Sequence, residues 1–178
     1  MKKYQIYFKE GDFLLKIEYR FVNYEKSLNN LKRVEALHQS AYTLLDEMLK
    51  DIGITHYEIK KTELGKPYIE GCDIHFSIAH TEGLVACVVA DTECGIDCER
   101  IVKKENAPEF CKRFFVGGEI EKMEKCGYDE TELLKIWTCK EAYGKKTGQG
   151  VALSLKVDTT KENFTTTIKN GYIITVCV

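Results

Sequence analysis

The chain contains only two prolines and one tryptophan in 178 residues, and it has no excess of either charge. Its 26 basic and 28 acidic residues give a net charge of −2. That balance argues against a surface built to hold a polyanion, so nucleic acid is not an expected partner. No apolar run approaches the ~20 residues of a membrane span. At the N-terminus, Met1-Lys2-Lys3-Tyr4-Gln5-Ile6-Tyr7-Phe8 meets Lys9, Glu10 and Asp12 before a signal core can develop. The expectation is a soluble cytoplasmic protein with no membrane partner. Eight cysteines are present, but none forms a CxxC pair and the four histidines are scattered. Several of these cysteines sit in apolar runs, so they read as free structural thiols rather than zinc ligands or disulfides. An apolar content of 44% is enough for a real core in one compact domain or two small halves.

Alternation in Tyr4–Phe8 and Phe13–Tyr19 around Glu10-Gly11-Asp12 predicts an opening hairpin. From Ser27 to Asp51 the period becomes helical, with Leu28, Leu31, Val34, Leu37, Ala41, Leu44, Leu45, Met48 and Leu49 in one stripe and Gly53 ending it. Leu64-Gly65-Lys66-Pro67-Tyr68 reads as a loop. Ile74–Ile78, Leu84–Ala90 and Cys94–Cys98 read as three strands of one sheet, the middle one apolar on both faces. Helices are expected over Ala107–Phe115 and Asp129–Thr147, the latter closed by Gly148-Gln149-Gly150. Strands near Phe164–Lys169 and Tyr172–Val178 flank Asn170-Gly171, a strong hairpin signature. The order suggests an α+β protein in two halves, split near residues 100–105.

The hexapeptide "GIDCER", residues 95–100, sets Asp97 and Glu99 on one face of a strand and Cys98 on the other. Two carboxylates on one face repel, which makes a site for a hard cation such as Mg²⁺; a solvated strand end explains the hexapeptide alone equally well. In "IWTCKEAYGKK", Glu141 and Lys145 share a helical face, which by itself is an ordinary surface ion pair. Trp137 reads first as a core residue. His80, after the strand "HFSIA", is expected in an exposed turn, and Lys66 lies in a rigid loop that can aim it.

Taken together, "GKP" at 65–67, "FSIAH" at 76–80, "GIDCER" at 95–100, "RFF" at 113–115 and "WTCKEAYGKKTGQG" at 137–150 resemble the 4′-phosphopantetheinyl transferases. The resemblance is to the surfactin-synthetase-activating type, in which two similar halves sit on one chain. It implies two like α+β halves, 1–102 and 103–178, related by a pseudo-two-fold, working as a monomer with the active site between them. It also implies a reaction in which the 4′-phosphopantetheine arm of coenzyme A moves to a serine of an acyl- or peptidyl-carrier protein, releasing adenosine 3′,5′-bisphosphate.

By the same resemblance Asp97, Glu99 and Glu141 would hold Mg²⁺, and Glu141 would be the base for the serine. Lys145 would neutralise the reacting phosphate, His80 would contact the 3′-phosphate and Lys66 would hold the nucleotide end. Lys140 matches a family lysine with no assigned contact. Two departures stand out. Ala79 replaces the hydroxyl residue usual before the histidine, and the family's N-terminal basic residues have only Lys26, Lys32 and Arg33 as candidates. Two other functions compete with this one. A degenerate homologue would bind coenzyme A or a carrier protein without transfer, but its mark would be a damaged metal triad where this chain keeps all three acids. A Mg²⁺-dependent phosphodiesterase would use the same acids on water.

Overall fold

The computed structural model describes residues 3–8, 13–24 and 29–178. Strands β1 (Lys3–Phe8) and β2 (Leu15–Phe21) pair antiparallel in the expected hairpin, with Ile6 opposite Ile17. Its predicted turn, Glu10-Gly11-Asp12, lies outside the described residues. Helix α1 (Asn30–Asp51) is capped by Asn29, whose side chain accepts a hydrogen bond from the Lys32 amide. Leu28, predicted for its apolar stripe, is outside the described residues. Leu31 and Val34 prove exposed, so the buried stripe starts only at Leu37.

Strands β3 (Ile59–Lys61) and β4 (Pro67–Ile69) form a small hairpin where only a loop was expected. Strands β5 (His75–Thr81) and β6 (Leu84–Ala90) add to the first hairpin, giving a four-stranded sheet in the order β1-β2-β6-β5. Strand β7 (Gly95–Arg100) is the main correction. It does not join that sheet but pairs with β9 (Tyr172–Cys177), which in turn pairs with β8 (Thr165–Lys169). The β8–β9 turn has Asn170 and Gly171 both at positive φ, as a tight hairpin demands.

Helices α2 (Ala107–Phe114), α3 (Gly118–Lys125), α4 (Glu130–Thr147) and the one-turn α5 (Val151–Ser154) lie between β7 and β8, and a 3₁₀ turn at Thr159–Lys161 follows. Asp129 caps α4 at its start, and Gly148 ends it in the left-handed conformation.

Packing follows from strand alternation. Ile17 and Tyr19 of β2, Ala86 and Val88 of β6, Ile96 and Cys98 of β7, and Ile174 and Val176 of β9 fill one core between the two sheets. Val85, Cys87 and Val89 point the other way, into a second core under Ala41, Leu44, Leu45 and Met48 of α1. Strand β6 thus lost its alternation because both of its faces are buried. Ile173 enters a third core with Cys111, Met123, Leu133 and Ile136. The result is a mixed α/β structure layered α1, first sheet, second sheet, α4. All eight cysteines are free, and no helix among the described residues is long and apolar enough to cross a membrane.

Candidate active site

Gly95 lets α4 lie directly on β7. A Cβ there would fall 1.9 Å from the Ala142 carbonyl oxygen and 2.5 Å from the Lys146 amide nitrogen. This approach brings the acidic face of β7 against the Glu141–Lys145 face of α4. Lys145 Nζ donates to Asp97 Oδ1 at 2.8 Å, so the lysine pairs across the elements rather than along its own helix. Asp97 is buried, and its Oδ2 has no hydrogen-bond partner. Glu99 is half-buried and accepts from Thr81 Oγ1 at 3.3 Å.

The electrostatics mark these acids as one group. Burial pushes the Asp97 carboxyl above its ordinary range, although Lys145 and the Cys98 backbone pull it down. Glu99 rises through burial and then the Asp97 charge. Glu141 rises through burial and then Asp97, with Lys145 opposing and Glu99 adding to the rise. Three carboxyls raised by burial, two of them raised further by the Asp97 charge, favour a cation among them. Among the described residues no three acidic, histidine or cysteine side chains are arranged to hold a metal ion as they stand. The donors are nevertheless hard oxygens, and the unpartnered Oδ2 of Asp97 is an unsatisfied acceptor.

Glu141 and Lys145 form one wall of a cavity of about 430 Å³. Lys66 and His80 line it too, so four of the six residues singled out in the sequence meet there, and Asp97 joins them through Lys145. His80 is not in an exposed turn. It lies inside β5, because the β5–β6 turn is only Glu82-Gly83, and it is half-buried. Burial lowers the His80 pKa, and the charges of Lys145 and His38 lower it further. Lys66 is held rather than free: its Nζ pairs with Glu93 and donates to the Lys146 carbonyl at the end of α4.

Of the N-terminal candidates, Lys26 lies outside the described residues. Lys32 is exposed, Arg33 sits over the Tyr24 ring, and neither lines the cavity. The cavity is lined in addition by His38 of α1 and Lys61 of β3, with Tyr42 beside His38. Lys61 could have been found: it pairs with Pro67 across the small hairpin, so "GKP" and Lys61 share one turn. His38 carried no comparable signal. Trp137 is only partly buried and packs edge-on against Phe110 and Phe114. Lys140 does not reach the cavity at all; it is fully buried on another face of α4 and pairs with Glu119 at 2.9 Å.

Residues 93–176, which carry Asp97, Glu99, Glu141 and Lys145, match the model of the 4′-phosphopantetheinyl transferase superfamily. Over this segment the chain is similar to that superfamily. Similar curated proteins include the 4′-phosphopantetheinyl transferase gsp of Aneurinibacillus migulanus, 31% identical over 111 residues, or 61% of this chain and 46% of the relative. The 4′-phosphopantetheinyl transferase of Bacillus subtilis is 33% identical over 96 residues, 52% of this chain and 42% of the relative. The transferase psf-1 of Bacillus pumilus is 29% identical over 146 residues, 76% and 61% respectively. The match therefore spans less than half the length of the first two relatives.

Cys98 tests the assignment of faces. Its thiol is buried in the core between the sheets, and burial pushes its pKa far up, so it is inert. Cys98→Val is expected to leave the activity of the site within about twofold and to cost under about 1.5 kcal/mol in urea unfolding, as volume-conserving swaps do. A collapse of activity in the folded variant would mean that the acids of β7 face elsewhere.

Proposed function

We propose that this protein transfers 4′-phosphopantetheine from coenzyme A to a serine hydroxyl of an acyl- or peptidyl-carrier protein and releases adenosine 3′,5′-bisphosphate. The observation that carries this reading is the ion pair of Asp97 with Lys145, which together with Glu141, His80 and Lys66 lines the cavity. The match of that segment to the superfamily model supports it. We read the chain as two like halves, 1–102 and 103–178, related by a pseudo-two-fold. In support, each of the two stacked sheets has a long helix on its outer face. In this reading the molecule works as a monomer in the cytoplasm.

The step is a displacement at phosphorus. The serine Oγ–P bond forms, the bond from that phosphorus to the oxygen of the departing bisphosphate breaks, and the serine proton must be taken up. Glu141 is the group for that proton, since burial and the neighbouring acids make it more basic than an exposed glutamate. Lys145 supplies positive charge where negative charge builds on the phosphoryl oxygens. Asp97 holds the Lys145 ammonium in place and, with Glu99 and Glu141, would hold Mg²⁺. When bound, Mg²⁺ would neutralise the pyrophosphate. His80, His38, Lys61 and Lys66 orient the anionic nucleotide from the opposite wall.

The test is incubation with coenzyme A and Mg²⁺ and a panel of fatty-acid, polyketide and nonribosomal-peptide carriers, followed by mass spectrometry. One carrier class gaining a single phosphopantetheine, with bisphosphate released only when that acceptor is present, is the expected result. Bisphosphate released without an acceptor would make the protein a phosphodiesterase. Binding of coenzyme A with no release under any condition would make it a non-catalytic homologue.

A further inference from the structure

We propose that Lys140 is a positioning residue, whose buried ion pair with Glu119 sets the roll of α4 and so aims Glu141 and Lys145 at β7. The pair is complete in its polar contacts. Lys140 Nζ lies 2.9 Å from Glu119 Oε2 and donates to the carbonyls of Val157 at 2.8 Å and Leu155 at 3.3 Å, using all three ammonium donors. Glu119 Oε1 accepts from the Thr159 amide at 2.9 Å and its hydroxyl at 2.6 Å, and Oε2 accepts from the Val116 amide at 2.9 Å. Both side chains are fully buried. One hub thus ties the start of α3, the middle of α4 and the segment 155–159.

A buried ion pair is seldom more stable than apolar residues of the same volume. What it adds is direction: hydrogen bonds with fixed geometry admit one roll of the helix, where apolar packing tolerates several. The surroundings make roll the freedom that matters. On one side α4 lies against Gly95 of β7. On another, a Cβ on Gly144 would come within 3.2 Å of the Gly150 carbonyl and Ser154 Oγ, so the chain after α4 presses on it from behind. Lys140 anchors the helix to the continuation of that same segment, and Glu141 follows it by only about 100° around the axis. A roll of about 10° moves a side-chain tip about 6 Å from the axis by about 1 Å. Displacement on that scale at a reacting group costs on the order of 100-fold in rate.

The decisive variant is Lys140→Met/Glu119→Gln, which removes the ion pair without stranding a charge and keeps an acceptor for Thr159. The kinetic arm rests on the transferase reading; a nuclear Overhauser contact from the Gly95 α-protons to the Lys146 amide does not. The folded double variant is expected to lose about tenfold or more in kcat with KM for coenzyme A nearly unchanged, and to weaken that contact. Wild-type kcat, or a lowered kcat with the contact intact, would overturn the proposal. If wild-type protein transfers nothing, the transferase reading fails while the Gly95–Lys146 contact still decides the role of Lys140. Should the double variant not fold, Glu119→Gln alone, nearly isosteric, must show the same two changes in smaller measure.

Discussion

Replacing Gly95 by Ala is expected to destabilise the protein by at least about 3 kcal/mol and to abolish transfer, because α4 must leave β7. The added methyl would sit 1.9 Å from the Ala142 carbonyl oxygen and 2.5 Å from the Lys146 nitrogen, both backbone atoms that no rotamer change can withdraw. Overpacking a core typically costs about 1–3 kcal/mol when side chains can yield, so a clash with helix backbone belongs at or above the top of that range. The alternative to global loss is a shift of α4 by an ångström or more. That shift would part Lys145 from Asp97, now 2.8 Å apart, and draw Glu141 from the β7 acids. Urea unfolding followed by Trp137 fluorescence, with carrier loading measured on the same preparation, checks both outcomes. A variant with a wild-type midpoint and wild-type loading would show that α4 does not rest on Gly95. The glycine is required here for space, since its φ is not in the left-handed region.

Gly95 also illustrates what the sequence disclosed and what it withheld. The hexapeptide 95–100 was legible as a strand with Asp97 and Glu99 on one face and Cys98 on the other, because side-chain alternation is local. Its sheet was not legible. A four-residue link after β6 is short enough for a hairpin, yet β7 pairs with β9, more than seventy residues on, because the choice is made by packing between distant elements. The long helices carried local marks, a cap at Asp129 and glycine at 148, and were found nearly to the residue. Helix α3 opens on Gly117-Gly118, which reads as a turn, and its buried Glu119 reads as surface charge. Lys140 had no assigned contact in the sequence for a related reason. A charge on a helix is read as solvated unless its partner is known, and this partner lies 21 positions earlier on another helix.

Lys66 exposes a further gap between motif and geometry. Its loop was expected to aim it at a ligand, and it does line the cavity. But its ammonium is already shared between Glu93 and the Lys146 carbonyl. Glu93 also lies 3.4 Å from His75 Nδ1. Lys66 therefore ties the small hairpin to the end of α4, the helix that carries Glu141 and Lys145. In the proposed function its role would include holding the two walls of the cavity together.

Glu141→Gln is expected to lower carrier loading by about 100- to 10,000-fold, the range for loss of a general base, while leaving the protein at least as stable as wild type at neutral pH. The two halves of this expectation share one cause. Burial and the charge of Asp97 raise the Glu141 pKa above its ordinary 4.5, so the folded protein holds this proton more tightly than the unfolded chain does. A group raised in the folded state contributes stability below its unfolded pKa and loses it as pH rises through the folded value. At pH 7 the ionised Glu141 is therefore a cost to the fold, and a neutral amide of the same shape removes it. The gain in melting temperature over wild type should be largest near neutrality and should shrink as pH falls through the raised Glu141 pKa, where wild-type Glu141 takes up its proton. Both curves are measured without divalent cations. With Mg²⁺ and coenzyme A added, wild type should gain stability from the neutralised acids, and the variant should gain less. A Gln variant that loads carriers at the wild-type rate would remove Glu141 from the reaction. One that melts below wild type at pH 7 would show that the carboxylate is satisfied in the fold and not held there for chemistry.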